Sequence, residues 1–101
     1  MSDDAYALSL APSARRVVAV GPPRGLPLTV ANAVTEFLKG QLLDNPHRVG
    51  KPLTRELAGY HSARRGAYRV VYRIDDDARV VHVVRIDHRA NVYRAKVYRG
   101  R

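Results

Sequence analysis

The chain has 101 residues, 46% of them hydrophobic, no cysteine and a formal net charge of +9. This length fits one domain with a modest core, so we predict a single domain over residues 1–101. The absence of cysteine excludes a disulfide framework and a cysteine-based zinc site. The acidic start and the lack of a long apolar run argue against a signal peptide and a membrane span, and we expect a cytoplasmic protein.

The positive charge is concentrated in the second half of the chain. Residues 1–45 hold four basic and four acidic groups, whereas residues 46–101 hold fourteen basic and five acidic groups. Most of the basic residues are arginine, whose planar guanidinium suits phosphate. The asymmetry predicts a polyanionic partner, either nucleic acid or an acidic protein that masks the surface. A generally soluble basic surface is the alternative.

Hydrophobic patterning predicts one strand and two helices in the first half. Alternation predicts a strand over residues 6–10. A short helix over residues 14–20 follows Ser13, a candidate N-cap. A second helix begins near Pro27 and ends near Leu43. Its predicted buried stripe consists of Leu28, Ala31, Val34, Leu38 and Leu42, widened by Val30 and Phe37.

The second half is predicted to contain a polar connection and three strands. Residues 44–59 form the connection. Strands are predicted over residues 60–64, 68–74 and 80–86, and the aspartates from Asp75 onward favour a hairpin turn rather than metal ligands. The order β-α-α-β-β-β predicts the α+β class, with a small antiparallel sheet and two N-terminal helices packed on one face.

Strand alternation places Arg69 and Arg73 on one face of their strand. Two arginines are costly against a core, so we expect this face to be partly open and able to hold a phosphate between guanidinium groups. Ordinary solvated arginines on an exposed sheet are the alternative.

The next strand is apolar on both faces, which suggests a central position. Alternation predicts that Val81, Val83, Arg85 and Asp87 share a face. His82 alternates with valines and is interpreted as a core-facing histidine.

Metal-free cleavage of RNA requires a base, cations that stabilise the reacting phosphate, and an acid. Arginine supplies only the cation because it does not titrate. His61, His88 and Tyr93 can supply the proton transfers, although His88 also fits a turn residue and Tyr93 a core tyrosine. The histidine spacing indicates no metal site, and we expect no cofactor.

Four segments of the chain together resemble the RelE family of bacterial toxins, within the RelE/ParE superfamily. They are Asn45 to Leu53, Leu57 to Gly59, Ala63 to Tyr72 and Ile86 to Tyr93. The pattern Gly-x-Tyr-Arg-x-x-Tyr, followed by His-Arg-x-x-x-Tyr, is the most specific part. The similarity covers about residues 5–95 and is greatest to actinobacterial members.

The resemblance implies a fold, an activity and partners. Toxins of this family enter the ribosomal A site and cleave mRNA by attack of the 2′-oxygen, without a metal. A cognate RelB-like antitoxin wraps the toxin, in a heterotetramer or a similar complex, and the pair represses its own operon. The implied partners are therefore the antitoxin, the ribosome and mRNA, with operator DNA reached only through the antitoxin and no membrane.

Position by position, the resemblance also implies catalytic residues. Arg69 matches the strand arginine that stabilises the reacting phosphate, and Arg89 matches the arginine after the last strand. Tyr93 matches the C-terminal tyrosine that stacks on a base or assists proton transfer.

One departure concerns two lysines that the best-studied members carry on the preceding strand. Tyr60 and Ser62 occupy the aligned positions. Either His61, a candidate catalytic residue, compensates together with Arg64 and Lys51, or catalysis is slower or different in this branch of the family. The basic groups expected to bind RNA or the ribosome are Lys51, Arg55, Arg64, Arg65, Arg73, Arg85, His88 and Arg94.

Two other functions remain open at this point. The missing lysines favour a ParE-like toxin that poisons DNA gyrase without cutting RNA, whereas His61, Arg89 and Tyr93 disfavour it. The third possibility is a nontoxic module that binds RNA or DNA.

Overall fold

The computed structural model describes residues 5–20 and 26–88. Its strands are β1 (Ala7–Leu10), β2 (Lys51–Pro52), β3 (Tyr60–Arg65), β4 (Tyr68–Asp75) and β5 (Val80–His88). Its helices are α1 (Pro12–Val20), α2 (Leu28–Phe37), which continues as a π-helical turn over Leu38–Leu42, and α3 (Pro46–Val49). A 3-10 turn covers Arg55–Leu57. No helix in these ranges is long and apolar enough to cross a bilayer.

The described strands form one sheet in the order β1-β5-β4-β3-β2, with the helices on one face. The α+β class is confirmed, and so is the order β-α-α-β-β-β apart from two additional short elements, α3 and β2. The sheet is mixed rather than wholly antiparallel, because β1 runs parallel to β5, with Ala7 opposite Val80 and Leu10 opposite Val83. Alternation within a strand reveals its faces but not the direction of its neighbour, so the sequence could not show this pairing. The single-domain boundary stays a prediction.

The helical layer buries an apolar stripe against the sheet. The predicted stripe is confirmed except at its start, since Leu28 is 73% exposed at the first turn of α2. The core cluster comprises Ala14, Leu26, Ala31, Val34, Phe37, Leu38, Leu42, Ala63, Val70, Tyr72, Val81, Val83 and Ile86. Burial of these side chains holds the sheet with one face against the helices.

The connection predicted over residues 44–59 contains ordered elements. Pro46 begins α3, where its missing N–H costs no helical hydrogen bond. The hydroxyl of Tyr72, which is fully buried, donates a hydrogen bond of 2.7 Å to the Pro46 carbonyl. Gly50 has extended backbone angles, but a Cβ there would clash with Tyr72 Oη and lie 2.8 Å from Ser62 O. The absence of a side chain at Gly50 therefore lets the chain between α3 and β2 pack closely against Ser62 on β3 and Tyr72 on β4.

A β-bulge reverses the alternation of β5. Val83 lies opposite Tyr72 and Arg85 lies opposite Val71, so Val84 is an extra residue on β5. The valines at 81 and 83 consequently face the helices, whereas Arg85 and Asp87 face away from them. The prediction that these four side chains share one face is therefore wrong.

Ser13 is associated with this bulge rather than with a helix cap. The helix α1 begins at Pro12, so Ser13 lies inside its first turn and the N-cap prediction is wrong. Its hydroxyl donates a hydrogen bond of 3.2 Å to the Val84 carbonyl. This bond gives a partner to a carbonyl of the extra residue.

Candidate nucleic-acid interface

Basic side chains collect on the sheet face turned away from the helices, which we call the open face. Residues opposite each other on neighbouring strands point to the same side, so the register identifies its members. The charged members in the described strands are Lys51, Arg64, Arg69, Arg73, Asp75, Arg85 and Asp87. Cations outnumber carboxylates in this set, so the open face attracts polyanions.

One row of charged residues crosses the open face through Arg69. Arg64 on β3 lies opposite Arg69 on β4, which in turn lies opposite Asp87 on β5. Asp87 also accepts a hydrogen bond from Nε of Arg85, two residues earlier on its strand. Two guanidinium groups on adjacent strands provide a fork that suits the oxygens of a phosphate. The expected partly open arginine face is confirmed, since Arg69 is half-buried and Arg73 is exposed.

The two positions that align with the family's lysines also lie on the open face. Ser62 lies between Lys51 and Val71, and Tyr60 lies opposite Arg73. Both side chains are half-buried. The substitutions therefore change the chemistry of the face that carries Arg69, by replacing two titratable amines with a phenol and a hydroxyl.

His82 lies on the open face, so its interpretation as a core-facing histidine is wrong. It is half-buried and lies opposite Arg73 on β4 and Ser9 on β1. Its neighbours in sequence on both sides are valines, so either alternation fits the pattern. Val81 and Val83 are the valines buried in the core, and the bulge at Val84 then returns the alternation so that Ile86 is buried as well.

His61 is not brought to Arg69. It lies opposite Tyr72 on the helix side of the sheet, with the two rings stacked at a centroid distance of 5.4 Å. The His47 ring meets it edge-on at 6.0 Å. Burial lowers the pKa of His61, and the charge of His47 lowers it further, against the opposing effect of Asp76. Alternation on β3 thus separates His61 from the open face.

The remaining predicted residues are spread over several positions. Arg65 lies on the helix side, with its guanidinium 5.7 Å from the centre of the Phe37 ring. Arg55 is exposed on the 3-10 turn, outside the sheet. The backbone of His88 ends β5, and its side chain lies outside the described part of the structure. The predicted residues that fall wholly outside the described ranges are Arg89, Tyr93 and Arg94.

A second polar cluster joins β1, α3 and the β4–β5 turn. Oδ1 of Asp76 lies 2.5 Å from Tyr6 Oη and 2.8 Å from His47 Nε2, and it accepts a hydrogen bond from each. These bonds lower the pKa of Asp76, and the bond to Asp76 raises the pKa of Tyr6. Arg79 lies over the Tyr6 ring, 4.3 Å from its centre. No local pattern in the sequence indicates this cluster, because its members are far apart in the chain.

Asp75 has the turn chemistry predicted for the hairpin. Oδ1 of Asp75 accepts a hydrogen bond of 3.0 Å from the backbone N–H of Ala78. Over residues 5–20 and 26–88, no three or more His, Asp or Glu side chains are grouped so that they could hold a metal ion.

Comparison with known proteins gives a consistent set of relatives. Residues 25–93 match the family model described as the ParE toxin of the parDE type II toxin–antitoxin system. The chain is 51% identical to the toxin RelG of Mycobacterium tuberculosis over 89 residues, which cover 88% of this chain and 97% of RelG. It is 46% identical to the toxin RelE of the same organism over 102 residues, with full coverage of both chains.

A solved structure shows the same architecture. The chain matches a RelBE toxin–antitoxin complex from Mycobacterium tuberculosis with a TM-score of 0.72 and 49% sequence identity. The match covers 84% of this chain and 99% of the matched chain. Both sequence and fold therefore point to the same group of proteins.

Proposed function

Because this chain belongs to the ParE toxin family of type II toxin–antitoxin systems and is RelE-like, we propose that it is a ribosome-dependent endoribonuclease that cuts mRNA in the A site. The observation that carries the proposal is the Arg64–Arg69–Asp87 row on a predominantly basic sheet face. The RelE-type relatives support the reaction class.

The proposed mechanism uses the open face to stabilise charge. Attack of a 2′-oxygen on the adjacent phosphorus breaks the bond from phosphorus to the 5′-oxygen and leaves a cyclic phosphate and a 5′-hydroxyl. In the transition state, extra negative charge develops on the nonbridging oxygens. Arg69 and Arg64 donate to those oxygens, and fixed donors of this kind stabilise the transition state more than the ground state. Asp87 lies opposite Arg69 and adds a negative charge to this end of the row.

Proton transfer must come from groups other than arginine. His61 is one of the three candidates from the sequence, but its ring is stacked on Tyr72 on the opposite side of the sheet. We therefore assign proton transfer to Tyr93 and a second stabilising charge to Arg89. Both assignments rest on the family resemblance, and both residues lie outside the described ranges.

The proposed partners follow from the relatives and the charge. Solved RelE-type toxins occur in complexes with RelB antitoxins. We propose a RelB-like antitoxin with an acidic or amphipathic segment that covers the basic surface, in a heterotetramer or a similar complex. The antitoxin reaches operator DNA, and the toxin acts on the ribosome and mRNA in the cytoplasm, where translation takes place.

Purified protein added to programmed ribosomes tests the activity. Primer extension on the message is expected to show a cut in the A-site codon. The variant Arg69→Ala is expected to lower the single-turnover rate by about 10²–10³-fold, the usual loss for one oxyanion donor. Arg15→Ala, an exposed arginine on α1, is the matched control and should cut at the parent rate. Intact message at a large excess of toxin would refute the proposal.

A second candidate is a ParE-like poison of DNA gyrase. It is favoured by the family model that matches residues 25–93 and by the uncharged side chains of Tyr60 and Ser62 on the open face. A supercoiling assay with purified gyrase separates the two functions. Inhibition of supercoiling by a protein that leaves ribosome-bound message intact would select this candidate.

A further inference from the structure

A second row of polar side chains crosses the open face beside the Arg69 row. Tyr60 on β3 lies opposite Arg73 on β4, Arg73 lies opposite His82 on β5, and His82 lies opposite Ser9 on β1. Neighbouring strands are about 4.8 Å apart, so the row spans about 14 Å. It presents an aromatic ring, a guanidinium, an imidazole and a hydroxyl in that order.

These four groups have the chemistry that binds one nucleotide of a single strand. Arg73 is exposed and can hold a phosphate, and the ring of Tyr60 can stack on an unpaired base. His82 and Ser9 can donate hydrogen bonds to phosphate or ribose oxygens. Within the described part of the chain, no side-chain hydrogen bond or ion pair joins any of these four residues to another residue.

The row lies beside the proposed reaction centre, and Arg73 is its member whose distance from Arg69 can be stated along one strand. Arg73 follows Arg69 by four residues on the same strand face, a separation of about 13 Å along β4. That spacing lets the two guanidinium groups hold different phosphates of one RNA strand. Building on the proposed function, we propose that Tyr60, Arg73, His82 and Ser9 form a subsite for the nucleotide that flanks the cleaved phosphodiester.

A binding assay that does not depend on cleavage tests the subsite. Ribosomes are programmed with a message that carries 2′-deoxyribose at the scissile nucleotide and therefore lacks the attacking oxygen. Arg73→Ala is expected to weaken toxin binding about tenfold. The slope of the logarithm of the association constant against the logarithm of the salt concentration should become shallower by about 0.7, the value for one phosphate contact on a single strand. His82→Gln is expected to weaken binding severalfold, and Arg15→Ala should bind as the parent does. Thermal melts verify that each variant is folded, and Arg73→Lys replaces Arg73→Ala if the latter is not.

A length series identifies the nucleotide. The message is shortened one nucleotide at a time on each side of the scissile position, and toxin affinity is measured at every length. The parent should lose about tenfold at the step that removes the flanking nucleotide, whereas Tyr60→Leu and Arg73→Ala should show no loss at that step. Unchanged binding by both variants, or the same length dependence as the parent, would overturn the subsite.

The two proposals fail in different ways. A parent that binds with the expected length dependence but leaves the all-ribose message intact would overturn the nuclease and support the subsite. A parent that cuts the message, with Arg73→Ala and His82→Gln binding as tightly as the parent, would support the nuclease and overturn the subsite. A parent that does not bind programmed ribosomes would overturn both.

Discussion

Replacing Gly50 with alanine tests the close approach between the segment after α3 and the sheet. The added methyl would meet two groups, Tyr72 Oη and the carbonyl oxygen of Ser62 at 2.8 Å. Gly50 has a φ of −125°, which alanine adopts readily, so the effect of the substitution is one of space.

Neither neighbour can move without a loss of stability. Tyr72 is fully buried, and its hydroxyl is held by the hydrogen bond to the Pro46 carbonyl. Ser62 lies opposite Lys51 in the β2–β3 pair, so shifting its carbonyl disturbs the sheet edge. Overpacking of this kind typically costs 1–3 kcal/mol, and we expect a loss of about 2 kcal/mol. In a domain of this size that lowers Tm by about 8–16 °C.

Chemical denaturation at pH 7 measures the loss, with Gly40→Ala as the matched control. A Cβ at Gly40 meets nothing within 4 Å, and Gly40 lies in a helical turn. Alanine restricts the unfolded chain more than glycine does, so the control should be neutral or stabilising by up to about 1 kcal/mol. Equal stabilities of the Gly50→Ala and Gly40→Ala variants would contradict the close approach of residue 50 to Tyr72 and Ser62.

Two further predictions concern single polar contacts. Tyr72→Phe keeps the buried ring but leaves the Pro46 carbonyl without its donor, so the free energy of unfolding, measured by urea titration, should fall by about 1–3 kcal/mol. Burial also raises the pKa of Tyr72 to about 12, so in an ultraviolet titration this tyrosine should not ionise with the tyrosines that titrate near pH 10. Asp76 has a lowered pKa in the folded state, so its contribution to stability is complete above about pH 3.9 and is lost as the pH falls through the folded value. The Tm difference between the parent and Asp76→Asn should therefore shrink on acidification from pH 7 to pH 3, and a difference that grows would contradict the assignment.

The sequence predicted the parts of the fold that depend on local pattern. Strands β3, β4 and β5 and the helix that begins near Pro27 follow from alternation and helical periodicity, and the structure confirms them. Contacts between distant segments gave no local signal. The parallel pairing of β1, the two-residue strand β2 and the bulge at Val84 all depend on neighbours that alternation does not identify.

The same limit applies to the candidate interface. Arg69 and Arg73 were placed correctly because they lie on a regular strand. The interpretation of His82 as a core residue is wrong because the extra residue that follows it changes which valines are buried. His61 cannot act beside Arg69, because alternation on β3 places its side chain on the helix side of the sheet. A residue's face can be predicted along one regular strand, whereas convergence across strands requires the register.

The pairing of β1 with β5 has a consequence for synthesis. A chain made from its N-terminus releases β1 first, yet the strand that pairs with it is the last one of the described sheet to leave the ribosome. Contacts this distant in sequence form late, because a long loop must close first. A nascent chain interrupted before β5 therefore has an unpaired first strand and lacks Arg85 and Asp87, so truncated products are expected to be harmless to the cell that makes them.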